Sequence, residues 1–105
     1  MKLTDLMSEL VKRNGSDLHL TGDSIPFFRI QGQILPASTA LFSSSELREQ
    51  LQTILGEEKL TTFDEEKEFD CSFGLKGIAR FRINLFLDRG KISCVMRALS
   101  TDIPS

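Results

Sequence analysis

The sequence has 105 residues, of which 40% are hydrophobic and 27% are charged, and its formal net charge at pH 7 is −2. A chain of this length and apolar content can bury one core, so we expect a single domain. The slightly acidic balance argues against a general nucleic-acid-binding protein, and no apolar run is long enough to cross a bilayer. Residues 1–14 carry acidic side chains where a signal peptide would need a basic start and an apolar block, which predicts a cytosolic protein.

The first half of the chain shows the patterns of one helix and three short strands. Apolar residues at helical spacing predict a helix over Asp5 to Asn14, with Thr4 as its N-cap and Gly15 as its C′ residue. In the next segment polar and apolar residues alternate, so Asp17 and His19 should lie on the outer face of a strand. The three predicted strands are Asp17 to Leu20, Phe27 to Ile30 and, after a Gln31-Gly32 turn, Gln33 to Leu35.

The second half begins with two helices and ends with three alternating strands. Ser43 and Glu46 have the spacing of a capping box, and the apolar stripe that follows them ends at Gly56. A short acidic helix containing Leu60 and Phe63 comes next. This order of elements predicts an α+β fold in which helices cover one face of an antiparallel sheet. The three predicted strands are Glu68 to Leu75, Ala79 to Leu87 and Lys91 to Ala98.

Two arginines on the last two strands are predicted to face each other. A tight turn at Arg89-Gly90 sets the register of these strands and places Arg82 directly opposite Arg97 on the outer face. The pattern shows no evident acidic partner for both arginines. Like charges in this position destabilise a sheet by some tenths of a kcal/mol unless an anion lies between them. The pair therefore predicts a site that attracts an anion, and removing either arginine should leave the melting temperature unchanged or slightly higher.

These polar residues also have a structural interpretation. Arg82 is placed to form an ion pair with Asp70, which lies diagonal to it in the predicted hairpin, whereas Arg97 has no comparable acidic neighbour. His19 is the single histidine, and its position on a strand is typical of a hydrogen-bonding surface or interface residue rather than of a catalyst.

Charge is distributed unevenly along the chain. Residues 57–70 hold seven acidic residues and two lysines, whereas residues 76–97 hold six basic residues and one aspartate. This asymmetry is typical of two solvated faces, and it also fits two complementary docking surfaces for copies of the same protein.

The sequence shows no set of residues typical of an enzyme. Cys71 and Cys94 fall at inward strand positions, which predicts buried, reduced thiols rather than a metal site. There is no Gly-rich phosphate loop and no nucleophile elbow, so we do not expect this chain by itself to be an enzyme or to carry a cofactor.

Five short motifs follow one another along the whole chain: Gly15 to Leu20, Phe28 to Gly32, Phe69 to Phe73, Ala79 to Asn84, and Arg89-Gly90 with Val95 to Arg97. In this order they resemble the N-terminal domain of the type IV pilus retraction ATPases, the PilT-like twitching-motility motors of the secretion ATPase superfamily. The resemblance implies a PAS-like α+β domain over residues 1–100. It also implies that residues 101–105 begin a linker to a RecA-like ATPase domain, which carries the Walker motifs and is absent from this sequence.

The same resemblance implies a regulatory and assembly domain of a hexameric motor that is cytoplasmic and peripheral to the inner membrane. The implied partners are the ATPase domains of its own and neighbouring subunits and the inner-membrane platform protein of the pilus, with ATP and Mg bound by the parent protein. By their positions in the family pattern, Arg82 and Arg97 would contact that nucleotide. The candidate interface residues are Asp17, His19, Arg80 and Arg89.

Two functions of other classes remain alternatives. The predicted sandwich is also typical of a free-standing PAS-like small-molecule sensor, although its inward strand positions carry no polar group to orient a ligand. Binding of single-stranded nucleic acid through Phe86 and the arginines is disfavoured by the acidic balance. The motifs fit a retracting and an extending pilus motor alike.

Overall fold

The computed structural model describes residues 1–101 of the chain, with side chains for residues 1–99. Helices and strands follow each other in the predicted order. None of the helices within residues 1–101 is both long enough and apolar enough to span a membrane. The elements are α1 (Leu3–Lys12), β1 (Asp17–Thr21), β2 (Phe27–Ile30), β3 (Gln33–Pro36), α2 (Ser44–Leu55), α3 (Glu57–Glu66), β4 (Phe69–Leu75), β5 (Ala79–Asp88) and β6 (Lys91–Thr101).

The six strands form one antiparallel sheet in the order β3-β2-β1-β6-β5-β4. β1 pairs with β6, so strands from the two halves of the chain lie side by side in the middle of the sheet. The buried apolar residues of the strands face the three helices, and the opposite face of the sheet has no helix over it among the described residues. The predicted α+β class, with helices on one face, is confirmed.

The hydrophobic core lies between the helices and the inward face of the sheet. Burying one large apolar side chain contributes about 1.5–3 kcal/mol, so this layer supplies most of the driving force for folding. Phe28, Phe42 and Phe81 are the largest of its fully buried side chains, and they fill the space between the two layers. The other fully buried large residues are Leu3, Met7, Leu10, Leu18, Leu20, Leu47, Leu51, Leu60 and Ile83.

The first helix begins earlier than the sequence predicted. Its N-cap is Lys2 rather than Thr4, and no side chain of the cap residue makes a hydrogen bond. Instead, Gln50 of α2 accepts a hydrogen bond from the backbone N–H of Leu3 at 2.5 Å. The predicted start at Asp5 was wrong because an acceptor 47 residues away replaces local capping.

The end of α1 leads directly into β1. Asn14 takes the left-handed conformation with φ 56°, and Gly15 donates its backbone N–H to the carbonyl of Leu10 at 2.9 Å. With Arg13 as the C-cap, Asn14 occupies the C′ position and Gly15 lies one residue beyond its predicted place. A Cβ atom on Gly15 would overlap the Leu10 side chain, so close packing explains the glycine.

The start and end of α2 agree with the sequence prediction. The Ser43 side chain accepts a hydrogen bond from the backbone N–H of Glu46 at 3.1 Å, and the helix ends at Gly56. Arg48 of α2 donates to Asp64 of α3 at 2.8 Å, which joins the two helices on the side away from the sheet.

The β5–β6 hairpin has the predicted register. Arg89 and Gly90 form its two-residue turn with φ angles of 54° and 80°, and Arg82 lies opposite Arg97. β6 continues to Thr101, past its predicted end. The remaining residues of the predicted linker, 102–105, lie outside the described residues.

Candidate functional site

A row of charged side chains crosses the face of the sheet that the helices leave uncovered. Asp17 of β1 lies opposite Arg29 of β2 on one side and opposite Arg97 of β6 on the other. Arg82 of β5 continues the row because it pairs with Arg97, and Asp70 of β4 reaches Arg82 diagonally. We call these five residues the arginine row. It holds three guanidinium groups and two carboxylates, so positive charge is in excess.

Asp17 is the buried member of the arginine row. Its side chain is only 7% exposed although it projects from the uncovered face, because arginines flank it on both sides. The carboxylate accepts hydrogen bonds from the Ser16 hydroxyl at 2.7 Å and from Arg97 Nε at 3.2 Å. On the β2 side, Arg29 Nε lies 3.9 Å from Oδ2 of the same carboxylate. The buried negative charge is therefore compensated by two cations and a hydroxyl.

The pKa of Asp17 reflects both its burial and its partners. Burial by itself raises the pKa of this carboxyl. The hydrogen bonds from Ser16 and Arg97, together with the positive charge of Arg97, outweigh burial and hold the pKa below its ordinary value. Asp17 therefore stays ionised at neutral pH and remains a partner for the guanidinium groups.

Arg82 is paired in a different way. Its Nε and Nη2 donate to the two carboxylate oxygens of Asp70 at 3.3 and 2.7 Å. The two side chains are 65% and 43% exposed, so water competes with this bidentate pair. The hydrogen bond from Arg82 lowers the pKa of Asp70.

These contacts test the pairing predicted from the sequence. The ion pair between Arg82 and Asp70 is confirmed. The prediction that Arg97 lacks an acidic neighbour was wrong, since Asp17 lies 3.2 Å from it. Asp17 is 80 residues away in the sequence and is brought to Arg97 because β1 lies beside β6 in the sheet. The chain itself thus supplies the anions that the sequence led us to expect from a ligand.

A shallow depression of about 390 Å³ lies between the two arginines. The Arg97 side chain is 67% exposed, and its Nη1 and Nη2 donate no hydrogen bond to any residue within the described part of the chain. An anion in the depression can therefore be contacted by guanidinium groups from two neighbouring strands. The residues that line the depression are Asp70, Arg82, Asn84, Val95 and Arg97.

His19 lies beside the arginine row, on the same face of β1 as Asp17. Its ring stacks on Phe27 with 4.8 Å between ring centroids, and its buried Nε2 has no hydrogen-bond partner within residues 1–101. Burial lowers the pKa of His19, the charge of Asp17 partly offsets this, and Arg29 lowers the pKa further. The ring is therefore neutral at neutral pH and packs as part of the uncovered face.

The similarity of this chain to known proteins extends over its whole length. No protein-family model matches it. It is 29% identical over 105 residues to the type IV pilus ATPase PilU of Pseudomonas aeruginosa, and 27% identical over 103 residues to the type IV pilus retraction ATPase PilT of the same organism. A crystal structure of the pilus retraction motor PilT with bound ADP matches the entire chain with a TM-score of 0.83 and 29% identity. These findings support an N-terminal domain of a type IV pilus ATPase.

The likeness concerns one part of each pilus ATPase. The chain spans 28% of PilU and 30% of PilT, and 31% of the PilT chain in the crystal structure. The predicted resemblance to the pilus motors is confirmed for this domain.

The uncovered face of the sheet holds five of the six predicted site residues. Asp17, Arg97 and Arg82 belong to the arginine row, and His19 lies next to it. Arg80 is exposed on the same face, where it donates to the Ser72 hydroxyl at 3.4 Å. The sixth residue, Arg89, lies apart from them in the turn at the opposite end of the β5–β6 hairpin.

Sequence analysis missed Arg29. It is the second guanidinium beside Asp17 and has a 45% exposed side chain. Arg29 is the one charged residue of β2 and lies at an outward position of that strand. Pairing β2 with β1 through the short connection between them, residues 22–26, would have placed Arg29 opposite Asp17.

Proposed function

We propose that this chain is the regulatory and assembly domain of a hexameric type IV pilus motor ATPase and supplies Arg82 and Arg97 to the nucleotide. In this proposal ATP and Mg are held by the RecA-like ATPase domain of the same or a neighbouring subunit, and that domain docks on the uncovered sheet face. The observation that carries the proposal is the pair of guanidinium groups on adjacent strands, both about two-thirds exposed, beside a depression open to a ligand.

The chemistry of phosphoryl transfer explains why such a pair is useful. Negative charge on the transferring phosphoryl group and its leaving oxygen develops in the transition state, and guanidinium groups stabilise it by directed hydrogen bonds. Docking of an ATPase domain on the uncovered face would exclude water and strengthen these interactions. The PilT structure with bound ADP supports the view that a relative containing this fold binds an adenine nucleotide.

The proposal also assigns partners and location to the parent motor. Its subunits would assemble through contacts between this domain and a neighbouring ATPase domain, and the hexamer would lie in the cytoplasm, peripheral to the inner membrane, against the pilus platform protein. Charge separation supports a docking role, because the first turn of α3 carries Glu57 and Glu58 while the uncovered sheet face carries arginines. Asp17, His19, Arg80 and Arg89 remain the candidate interface residues.

A small-molecule sensor is the less favoured function. In a sensor of this fold the ligand would lie between the helices and the sheet, and that layer is filled by Phe28, Phe42 and Phe81. The charged depression is on the opposite face.

The proposal is tested by ATP turnover in the parent motor. Arg97→Ala and Arg82→Ala should each lower kcat by about 10³-fold, the scale of loss for an arginine that contacts the transferring phosphoryl group. The matched control is Arg48→Ala, which breaks an arginine–aspartate pair on the helix side of the domain and should leave turnover near normal. Normal turnover in both Arg97→Ala and Arg82→Ala, with the hexamer intact, would contradict the proposal.

The chain by itself is expected neither to hydrolyse ATP nor to bind it at micromolar concentration, because two arginines without a phosphate loop offer few contacts. Calorimetric titration with ATP and magnesium measures this directly. A saturable isotherm in the micromolar range would show that the nucleotide site lies within this domain instead.

A further inference from the structure

Arg97 is held through one nitrogen of its guanidinium group, whereas Arg82 is held through two. Arg97 contacts Asp17 through Nε alone, at 3.2 Å. Arg82 contacts Asp70 through both Nε and Nη2. A guanidinium group that is held only at Nε still presents its two terminal amino groups, which are the donors suited to bidentate binding of a phosphate.

We propose that Asp17 is a positioning residue, which holds Arg97 at Nε and leaves the terminal nitrogens of Arg97 for a phosphate oxyanion of the nucleotide. This inference rests on the proposed function, because it takes Arg97 to be a residue that meets the nucleotide. Asp17 itself does not touch the nucleotide and acts through Arg97.

The surroundings of Asp17 suit it to this role. The carboxylate is held by the Ser16 hydroxyl at 2.7 Å and is 7% exposed, so water scarcely competes for it. Its strand is paired on both sides, with β2 and with β6, which limits movement of the backbone. Arg29 at 3.9 Å helps to balance the buried charge, so the Asp17 carboxylate stays ionised while it holds Arg97.

Asp70 does not hold Arg82 in the same way. It lies on the edge strand β4, its side chain is 43% exposed, and it occupies one terminal nitrogen of Arg82 in addition to Nε. Arg82 must release Nη2 from Asp70 before that nitrogen can bind a phosphate. The structure therefore assigns the preorganised guanidinium to Arg97 rather than to Arg82.

The test uses Asp17→Asn in the parent motor, a change that keeps the shape of the side chain and removes its charge. We expect kcat for ATP hydrolysis to fall by about 10²-fold, the loss typical of a misplaced catalytic group, while KM for ATP changes by less than about threefold. The matched control is Asp64→Asn, which removes the charge of an aspartate paired with an arginine on the helix side and should leave both constants unchanged.

A double variant separates positioning from a general structural role. If Asp17 acts through Arg97, then Asp17→Asn combined with Arg97→Ala turns over ATP as slowly as Arg97→Ala alone. If the double variant instead loses kcat by the product of the two single-variant losses, the inference is overturned. The inference is also overturned if Arg97→Ala lowers ATP turnover and Asp17→Asn does not. The proposed function is not contradicted by that result. Normal turnover in Arg97→Ala alone would overturn this inference, and normal turnover in both Arg97→Ala and Arg82→Ala would overturn the proposed function as well.

If Asp17→Asn does not fold, NMR of the unchanged 105-residue chain tests whether the Arg97 guanidinium group is held at Nε. A resolved, slowly exchanging Nε–H signal of Arg97, with terminal amino groups that rotate freely, supports a guanidinium held at Nε. Equal and fast exchange of all Arg97 side-chain protons would overturn the inference. The Arg82 signals serve as the internal comparison, because in that residue Nη2 is also bound.

Discussion

The two arginine–aspartate pairs of the uncovered face contain the same chemical groups in different surroundings. Asp17 is buried at the centre of the sheet between two arginines, whereas Asp70 is exposed on an edge strand and meets Arg82 alone. The exposed pair has the better hydrogen-bond geometry, with two bonds instead of one.

The difference shows that the ion pair with the better hydrogen-bond geometry need not contribute more to the stability of the fold. A bidentate surface pair exchanges readily with water and is screened by salt, so it adds little to stability. A single hydrogen bond to a buried carboxylate matters more, because losing it leaves a charge with less compensation in a poorly solvated place. The position of a residue in the sheet therefore decides what its ion pair contributes.

The largest expected difference between the pairs appears when each arginine is removed from this chain. Arg97→Ala should lower the free energy of unfolding by about 1–2 kcal/mol, since Asp17 loses a charged hydrogen-bond partner while buried. Arg82→Ala should change it little, because Asp70 becomes hydrated. Urea unfolding measures both. For Arg97 the structure reverses the expectation from the sequence, in which removing either arginine would relieve repulsion. Equal losses in the two variants would remove the distinction between the pairs.

High salt should increase the difference in coupling energy between the two ion pairs. Raising the ionic strength from about 0.05 to 0.5 M shortens the screening length to a few ångströms. The coupling between Arg82 and Asp70, measured by a double-mutant cycle of alanine variants, should then fall towards zero. The coupling between Arg97 and Asp17 should keep most of its value, because water and ions have little access to the carboxylate. A parallel decline of both couplings would show that Asp17 is as accessible as Asp70.

Lowering the pH should also distinguish the two pairs by their effect on stability, and this difference should be smaller than the effect of salt. Both carboxyl groups have a folded pKa below the ordinary value of 3.8, so their stabilising contribution is complete above that pH and is lost as the pH falls through the folded pKa. At 0.5 M salt, Asp17→Asn should flatten this acid dependence and Asp70→Asn should not. Thermal unfolding between pH 2 and pH 5 measures the slopes, and carboxyl ¹³C shifts give the individual pKa values. Equal slopes in the two variants would contradict the assignment.

The smallest expected effect concerns His19, the neighbour of the buried pair. Its folded pKa is lowered from 6.5, so the unfolded chain takes up a proton first and stability falls as the pH drops through 6.5 towards the folded pKa. His19 is the single histidine, and His19→Gln should therefore remove the slope of melting temperature against pH between 5.5 and 7.5. An unchanged slope in the variant would mean that another group titrates there.

Local patterns predicted most of the fold. Alternation of polar and apolar residues identified the strands, and Ser43 with Gly56 identified both ends of α2, because these signals act between near neighbours in the sequence. The start of α1 was missed, since its capping group is Gln50 from another helix. The end of β6 was also missed, because the strand is extended by pairing with β5 beyond its apolar stripe.

Only part of the candidate site could be predicted, because the rest of it is formed by residues that are distant in the sequence. The sequence by itself determined that Arg82 faces Arg97, because both residues lie on one hairpin whose two-residue turn sets the register. Only the tertiary structure decided that Asp17 and Arg29 join them, because β1 pairs with a strand about 80 residues away, and nothing in a local pattern specifies which distant strands become neighbours. Backbone pairing in the centre of the sheet, driven by burial of the shared apolar face, placed a carboxylate where the sequence had suggested an unpaired arginine.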